Sequence, residues 1–412
     1  MPTSTAESFM TKIQSDPLKI AFVTETYPPE VNGVASTVAR FINGLKGLGH
    51  HITLIRPRQG RWDTPKTETY LREILSQGVP IPGYGSLKLG LPQQAMLTKE
   101  WSANRPDLVH IVTEGPLGWS ALEVARKLKI PVCSDFRTNF DAYSSHYGLS
   151  WLKIPIQKYL RYFHNRTSFT MVPTQGLKNA LQLAGFERLK VLARGVDTHL
   201  FSPSKRSHIL RQEWGVTESD EVVIYVGRLA SEKNLQLTVE AFKAMLKIKP
   251  HLKIVWVGDG PQKKWLEVHC PHSIFVGVKS GEDLARHYAS GDIFLFSSLS
   301  ETFGNVTLEA MASGLAVIAY DYAAASQVIH HKVNGILVPC NDPGGFIQQS
   351  VELLQNNQDI QLLRLNARES TLEISWESVT GMLDRKYHEL LTNYVPMENS
   401  NTALALGNAC IK

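Results

Sequence analysis

The chain has 412 residues, of which 20% are charged and 43% hydrophobic, and its formal net charge is +5. This length predicts two or more domains, because a single hydrophobic core rarely grows beyond about 250–300 residues. The composition excludes collagen-like, disulfide-rich and largely disordered proteins.

The net charge is divided unevenly along the chain. Residues 1–205 carry 25 Lys+Arg and 15 Asp+Glu, a balance of +10, whereas residues 206–412 carry 18 and 23, a balance of −5. A basic half can face an anionic partner such as a phosphate, a nucleic acid or a lipid surface, or it can have no such partner.

Cysteine usage and apolar runs bear on the cellular compartment. The cysteines are far apart and form no CxxC pair, which argues against a structural zinc site and fits a reducing compartment. The polar N-terminus lacks the apolar segment of a signal peptide, and no run reaches the roughly 18–20 apolar residues of a membrane span. We therefore expect a cytoplasmic protein, with peripheral attachment to the inner face of the membrane left open.

Short apolar runs alternate with segments of helical period in the first half of the chain. The predicted strands cover residues 19–24, 51–57, 107–113, 131–136 and 169–174. Predicted helices cover residues 33–48 and 117–129, and a third begins at Gln175. This alternation predicts a parallel sheet with helices on both faces.

The segment 191–215 interrupts the alternation with Pro203 and a cluster of charges, and the alternation then resumes. We therefore predict an α/β fold of two doubly wound, Rossmann-like domains, with ligands in the cleft at the carboxyl ends of the strands. The predicted divisions are a flexible N-terminus at 1–17, an N-terminal domain at 18–203, a C-terminal domain at 204–374, a helix at 375–395 that packs back on the N-terminal domain, and a flexible tail at 396–412.

The loop after the first strand is tested first for dinucleotide binding. The segment ETYPPEVNGV contains no GxGxxG motif, and the chain has no GxxxxGK[ST] phosphate loop. Gly33 instead opens a helix, where a glycine lets an anion approach backbone N–H groups closely. A plain turn at Gly33 is the alternative.

The second half contains a more specific pattern of cations. Arg228 ends a strand in VGRLASEKN, and Lys233 follows five residues later, so both are expected at the carboxyl-end crevice. There they can hold a diphosphate and stabilise the charge that develops on it as it departs. Two solvated cations are the simpler alternative.

The segment SETFGNVTLEAMASG adds two acids and a helix start. Glu301 is placed on a loop and Glu309 on the helix that follows, where both can accept hydrogen bonds from sugar hydroxyls. A glycosidase pair is the competing explanation, but hydrolysis leaves Arg228 and Lys233 without a role. Four amides at the start of this helix are predicted to form an anion site, those of Gly304, Asn305, Val306 and Thr307.

Together, NGV, GRLASEKN, VGDGP and SETFGNVTLEAMASG resemble the retaining glycosyltransferases of family 4, which have the GT-B fold. The resemblance spans roughly residues 18–395, and the E-x7-E block is its most specific part. RTNFDAYSSHYG, YFHNRTSFTMVPT and RGVDTHLF resemble a bacterial branch that includes mannosyl-, glucosyl- and sulfoquinovosyl-transferases of glycolipid synthesis. In that family the nucleotide sugar binds mainly to the second domain and the acceptor to the first.

The resemblance implies how the diphosphate is held. Gly33 would contact the donor phosphate, and Arg228 with Lys233 would hold the diphosphate. Backbone amides would complete the cradle, those near Gly304, Asn305 and Val306. The family needs no bound metal and no cofactor, because these cations and dipoles neutralise the leaving group. It needs no separate nucleophile either, since the departing phosphate takes the acceptor's proton on the same face.

The resemblance also implies contacts to the sugar and the base. Glu301 would hold the transferred sugar and Glu309 the ribose, while the loop at Gly277 and Val278 would face the base. Because these residues match the family's donor site, the expected donor is a UDP- or GDP-hexose. The resemblance to the glycolipid-synthesising branch implies that the acceptor is a lipid or a glycan.

One position departs from the family. Many relatives carry a histidine near the reacting carbon, within a motif like FHT, whereas this chain has DFRTNF and therefore Arg137 at that place. Either the alignment shifts at this position, or Arg137 is the catalytic substitute for the histidine, and its fixed charge would then suit an acidic sugar. Asn139 and His146 are the candidate polar contacts to the acceptor, although a single histidine is more often structural.

The segment 151–194 contains eight Lys/Arg and one acid, with aromatic residues interleaved. Such a stretch can lie on an anionic membrane surface, or it can be an ordinary helix with its cations in solvent.

The predicted function is transfer of a hexose such as mannose or glucose with retention of configuration. A GT-B nucleotide-sugar epimerase is the alternative, and a nucleic-acid-binding protein is the remote one, so no nucleic acid is expected as a partner.

Overall fold

The computed structural model describes residues 16–30, 32–81, 84–137, 153–301 and 303–395. Two large sheets, each flanked by helices, account for most of these residues. The first sheet has eight strands in the order β10-β9-β8-β7-β1-β2-β4-β3, and the second has six in the order β13-β12-β11-β14-β15-β16.

The strands of the first sheet run parallel, except that β3 is antiparallel to β4. They are β1 (Lys19–Val23), β2 (His51–Pro57), β3 (Thr67–Glu68), β4 (Leu71–Ser76), β7 (Leu108–Ile111), β8 (Val132–Asp135), β9 (Phe169–Val172) and β10 (Leu189–Val191). A separate antiparallel pair consists of β5 (Gly78–Ile81) and β6 (Tyr84–Gly90). Strands β3 to β6 and β10 were not predicted. Strands β1, β7, β8 and β9 are shorter than predicted by one to three residues, and β2 matches its prediction.

Among the described residues, five helices accompany this sheet. They are α1 (Gly33–Gly47), α2 (Gln94–Ala103), α3 (Pro116–Lys127), α4 (Lys153–His164) and α5 (Gln175–Leu183). The side chain of Asn32 caps α1, because its Oδ1 accepts hydrogen bonds from the amides of Val34 and Ala35. The helix begins where Gly33 predicts it.

The second sheet is entirely parallel. Its strands are β11 (Val222–Val226), β12 (Lys253–Val257), β13 (Ile274–Gly277), β14 (Ile293–Phe296), β15 (Ala316–Tyr320) and β16 (Ile336–Val338). Strands β11, β14 and β15 are buried over their whole length, as expected of a parallel sheet covered on both faces.

Nine further helices follow. They are α6 (His208–Glu213), α7 (Leu235–Leu246), α8 (Lys263–His269), α9 (Gly281–Ser290), α10 (Asn305–Ala312), α11 (Ala323–Val328), α12 (Pro343–Leu354), α13 (Asn357–Leu372) and α14 (Trp376–Thr392). Most of them pack on the second sheet and share its hydrophobic core.

Helix α14 is the exception, because it returns to the first sheet. Its buried residues Val379, Leu383, Tyr387 and Leu390 share one core with Phe22 of β1 and with α1. The aromatic rings of Phe41 and Trp376 meet edge to face at 5.7 Å between centroids. The chain therefore crosses between the sheets twice, once after β10 and once before α14.

Replacing Leu383 with Ala tests this return. Leu383 is fully buried, so the substitution leaves a cavity and is expected to lower the free energy of unfolding by about 2–5 kcal/mol. The matched control is Leu365→Ala on α13, whose side chain is 60% exposed and whose loss should cost less than about 0.5 kcal/mol. Urea unfolding measures both, and equal effects would contradict the packing described here.

Candidate active site

The loops that follow β11 and β14 lie side by side, because the two strands pair in parallel. The hydroxyl of Ser297 donates to the carbonyl of Asn234 at 2.8 Å, and that of Ser300 donates to the carbonyl of Glu232 at 2.9 Å. These hydrogen bonds fix the loop before α10 against the loop before α7, and they bring the predicted cations and acids to one edge of the sheet.

Lys233 and Glu301 form an ion pair at this edge, with 2.5 Å between Nζ and Oε1. Both side chains are mostly buried. The hydroxyl of Ser298 donates to the same carboxylate oxygen at 2.9 Å, and Tyr322 donates to the backbone carbonyl of Glu301 at 3.0 Å. The structure thus brings together two residues that lie 68 positions apart in the sequence.

Arg228 lies on the same loop but points outward. Its side chain is 67% exposed and pairs with Glu232, a partner that the sequence did not reveal. The loop after β12 packs directly beneath, where the amide of Leu229 donates to the carbonyl of Asp259 at 2.9 Å. A side chain at Gly258 would place its Cβ 2.0 Å from the carbonyl oxygen of Gly227, so only glycine permits this contact.

Helix α10 begins next to this ion pair. Gly304 caps it with a φ of +89°, a left-handed conformation that favours glycine. The amide of Thr307 donates to the carbonyl of Gly304 at 3.1 Å, so the prediction of a free amide at Thr307 is wrong. Asn305 and Val306 are half-buried in the first turn of the helix.

Glu309 lies one turn further along α10, and the hydroxyl of Tyr288 on α9 donates to its Oε2 at 3.0 Å. Burial raises the pKa of Glu309 to about 7, and the Tyr288 hydroxyl acts in the opposite direction. An acid in this environment gains from ligand hydroxyl groups that stabilise its ionised form.

Gly277 and Val278 follow the edge strand β13. Gly277 ends the strand, and its carbonyl accepts a hydrogen bond from the amide of Gly258 at 2.8 Å. Val278 is 74% exposed. The pair is therefore accessible at the same carboxyl edge of the sheet, and its predicted contact with the base stays a prediction.

Arg194, to which the sequence patterns gave no role, lies between Gly33 and the second domain. A Cβ at Gly33 would lie 3.2 Å from Nη1 of Arg194. The same Nη1 donates to Oδ1 of Asn305 at 3.3 Å, and the guanidinium lies 5.5 Å from the ring centroid of Phe303. Arg194 belongs to the RGVDTHLF motif, which carries part of the family resemblance but indicated no role for the arginine.

Arg137 turns inward at the end of β8. Its Nε donates to Oδ2 of Asp135 at 2.7 Å, and its guanidinium lies 5.6 Å from the ring centroid of Phe41. The charges of Arg137 and His110, with their hydrogen bonds, hold the pKa of Asp135 at about 2 although burial opposes this. The side chain of Arg137 is thus engaged by an acid, and its predicted contact with the sugar stays a prediction.

The two predicted acceptor contacts, Asn139 and His146, lie outside the described residues.

A half-buried acid, Glu25, lies at the carboxyl edge of the first sheet. Glu25 follows β1, and its carboxylate accepts a hydrogen bond from the amide of Leu117 at the start of α3. Burial, together with the charge of Glu114, raises the pKa of Glu25 to about 7. No sequence motif singled out Glu25.

A cavity of about 720 Å³ separates the two sheets beside Glu301. Its wall on the first domain is largely apolar and includes Leu160, Leu177, Leu181 and Phe186. Its wall on the second domain is polar and includes Asp321 and Gln327. The cavity is therefore amphipathic, and Glu301 lies at its polar side.

Among the described residues, His50, Asp384 and His388 form one group with the composition of a metal site. Nδ1 of His50 accepts a hydrogen bond from the amide of Leu18 at 3.0 Å, so the ring carries its proton on Nε2, which faces Asp384 at 3.1 Å. A protonated ring nitrogen cannot bind a metal. The group also lies at the amino edge of the first sheet, opposite the cleft, and it is best explained as close contacts of two histidines with Asp384.

The raised pKa of Glu309 has a consequence for stability. The folded protein binds a proton at Glu309 more tightly than the unfolded chain does, so the free energy of unfolding should fall as pH rises from about 4.5 to about 7. The variant Glu309→Gln removes this contribution, roughly 3–4 kcal/mol, since the pKa rises from 4.5 to about 7 and one pKa unit corresponds to about 1.4 kcal/mol. Urea unfolding at pH 5 and pH 7.5 measures it. A variant that keeps the full wild-type pH dependence would contradict the assignment, whereas Tyr288→Phe should extend the loss of stability to higher pH.

Comparisons with known proteins agree with this geometry. The family profile described as Glycosyltransferase Family 4 matches residues 31–200, and the one described as Glycosyl transferases group 1 matches residues 220–356. The first profile covers the first sheet apart from β1, and the second profile covers the second sheet, so both halves of the resemblance are confirmed.

Two curated relatives illustrate the similarity. A GDP-mannose-dependent alpha-mannosyltransferase of Mycobacterium tuberculosis (strain CDC 1551 / Oshkosh) is 32% identical over 397 residues, covering 94% of this chain and 99% of the relative. An alpha-monoglucosyldiacylglycerol synthase of Streptococcus pneumoniae (strain ATCC BAA-255 / R6) is 27% identical over 337 residues, covering 78% of this chain and 75% of the relative.

The fold also matches solved structures. The crystal structure of Anabaena Alr3699/HepE in complex with UDP superposes with a TM-score of 0.71 at 20% identity, covering 90% of this chain and 100% of that chain. This similarity confirms the predicted arrangement of two Rossmann-like domains. The chain belongs to glycosyltransferase family 4, has the GT-B fold and is a hexosyltransferase.

Proposed function

We propose that this enzyme transfers a hexose from a nucleotide diphosphate sugar to a hydroxyl group of a lipid-type acceptor, with retention of configuration and without a bound metal ion. The observation that carries the proposal is the ion pair between Lys233 and Glu301 beside the start of α10. A cation, an acid and a helix N-terminus at one point suit a phosphate joined to a sugar.

The proposed roles of these residues follow from their chemistry. Lys233 and Arg228 bind the diphosphate, and Glu301 accepts hydrogen bonds from the hexose. Binding of the donor exchanges the contact between Lys233 and Glu301 for contacts with phosphate and sugar. Glu309 accepts hydrogen bonds from the ribose, which favours its ionised form, and the loop of Gly277 and Val278 faces the base.

The transfer step balances without a protein nucleophile. The bond between the anomeric carbon and the phosphate oxygen breaks, and the acceptor oxygen bonds to that carbon on the same face. The acceptor's proton passes to the departing phosphate. Lys233, Arg228 and the amides of α10 stabilise the negative charge on the leaving group, which is the task that a metal ion performs in other enzymes.

The amphipathic cavity supports a lipid-type acceptor. Its apolar wall suits a hydrocarbon segment, and its polar side at Glu301 suits the hydroxyl group that receives the sugar. The names of the two curated relatives supply candidate sugars, mannose and glucose, and diacylglycerol as a candidate acceptor. GDP-mannose and UDP-glucose are therefore the first donors to compare.

An exposed surface on α4 and α5 supports a peripheral contact with an anionic membrane. Ile154 and Leu183 are 64% and 92% exposed, and Lys158 and Arg161 are exposed beside them in the sequence and the fold. Arg161 donates to the carbonyl of Ala184 at 3.2 Å, which joins the two helices. Among the described residues, no helix has the length and apolar character to cross a bilayer.

Replacing Lys233 with Met tests the proposed function. Transfer from the preferred donor to diacylglycerol in mixed micelles should fall at least about 100-fold, because a preorganised charge at the leaving group is lost. Glu301→Gln should reduce transfer to a similar extent without weakening the affinity for the free nucleoside diphosphate, because the substitution releases Lys233 from its ion pair. NMR of the product gives the anomeric configuration. Turnover with and without EDTA tests whether transfer requires a metal ion.

The matched control is Lys249→Met, because Lys249 and Glu221 form a similar pair at the opposite edge of the second sheet. This variant should keep wild-type turnover. Wild-type activity in the Lys233 variant, an inverted product or loss of activity with EDTA would each contradict the proposal. The nucleotide sugar should remain unchanged when it is incubated with the enzyme and without an acceptor. An isomerised sugar would instead favour the alternative function, a nucleotide-sugar epimerase.

Charge reversal tests the membrane surface separately. Lys158→Glu changes the charge by two, and because each cation near an anionic surface contributes about 1 kcal/mol, binding to phosphatidylglycerol vesicles should weaken at least about tenfold. Lys129→Glu, at an exposed residue between α3 and β8, is the control. Sedimentation with vesicles measures binding, and equal binding of both variants would contradict a contact through α4.

A further inference from the structure

Arg194 lies where the chain first leaves the first sheet, and it is almost completely buried, with 7% of its surface exposed. It touches both domains, because Nη1 lies against Gly33 at the start of α1 and donates to Asn305 at the start of α10. The ring of Phe303 supports its guanidinium from one side.

The electrostatic surroundings of Arg194 are unusual for a buried cation. Two helices of 15 and eight residues begin beside it, and each helix start carries a partial positive charge. The charge of Arg137 is a further repulsion. Burial and this repulsion lower the pKa of Arg194 to about 9.

The acids that act on Arg194 already have other partners. Asp135 and Glu301 are the two acidic groups whose charges favour the protonated guanidinium. Asp135 binds Arg137 at 2.7 Å, and Glu301 binds Lys233 at 2.5 Å. The positive charge at this point is therefore only partly compensated by the protein.

A hydrogen-bond donor of Arg194 is also unsatisfied. Its Nε is buried and has no hydrogen-bond partner among the described residues. A buried donor without a partner costs free energy, more so when the group is charged. An anion beside the guanidinium would supply both the missing acceptor and the missing negative charge.

We propose that Arg194 is a third cation of the donor site and binds a phosphate group of the nucleotide sugar between the starts of α1 and α10. The inference rests on the proposed function, because the anion is the diphosphate of the donor. Arg194 differs from Lys233 and Arg228 in that it contacts both domains, so a phosphate bound to it joins the two halves of the cleft. A purely structural strut between Gly33, Phe303 and Asn305 is the alternative.

Calorimetric titration with pyrophosphate, GDP, UDP and the corresponding nucleosides tests the inference. In Arg194→Gln, the affinity for pyrophosphate and for the preferred nucleoside diphosphate should fall at least tenfold, while the affinity for the nucleoside should stay at the wild-type value. Arg194→Lys keeps the charge and should lose less, which provides a second variant should the glutamine variant not fold.

The matched control is Arg368→Gln. Arg368 is a structural arginine, since its guanidinium donates to the backbone carbonyls of Thr198, Phe201 and Ala312. This control should lower the melting temperature and leave the difference between diphosphate and nucleoside affinities unchanged. The same behaviour in both Arg194 variants would overturn the inference and leave the proposed function standing. Failure of the wild-type protein to bind pyrophosphate and both diphosphates would overturn the two together.

Discussion

Parallel pairing of β11 with β12 and β14 determines where the chemistry of this enzyme can occur. Because the strands run the same way, the loops that leave them meet at one edge of the sheet, although they come from distant parts of the sequence. The contact between these loops is close enough to require glycine at Gly258, and hydroxyl groups of Ser297 and Ser300 hold them in place. The ion pair of Lys233 and Glu301 depends on this arrangement, since the two residues lie 68 positions apart in the sequence.

Local charge at the cleft differs from the charge of the domains. The second half of the chain is acidic overall, yet it supplies Lys233, Arg228 and the start of α10. The basic first half supplies Arg194 to the cleft, but Arg137 is neutralised by Asp135. Screening by water and salt limits an exposed charge to about 10 Å, so a diphosphate responds to the groups beside it rather than to a domain's total. The excess of cations in the first half is therefore not required to bind the diphosphate. These cations can instead bind an acceptor or, on the surface of α4, an anionic membrane.

Sequence patterns predicted those features that depend on local order. Apolar runs located strands β1, β2, β7, β8 and β9 of the first sheet, and the glycines at 33 and 304 marked the starts of α1 and α10 within one residue. The burial of Arg194 was not predicted, because it depends on how separate segments of the chain meet. The pairing of Arg228 with Glu232, four residues later in the same loop, was not predicted although it is local. Strands β3 to β6 were missed for a different reason. Their segment is short, rich in glycine and proline, and without the long apolar runs of the buried strands.

The two crossings between the domains lie side by side, and this explains why Arg194 can serve both. The amide of Val196 donates to the carbonyl of Ile374 at 3.0 Å, and Val196 pairs with Ser375 in an isolated bridge. A Cβ at Gly195 would lie 2.8 Å from the backbone of Trp376, so the two connecting segments are in direct contact at this point. Arg194 is adjacent to these paired crossings and lies between Gly33 of the first domain and Asn305 of the second. A phosphate bound to Arg194 would accordingly lie beside the point where the chain passes from one domain to the other.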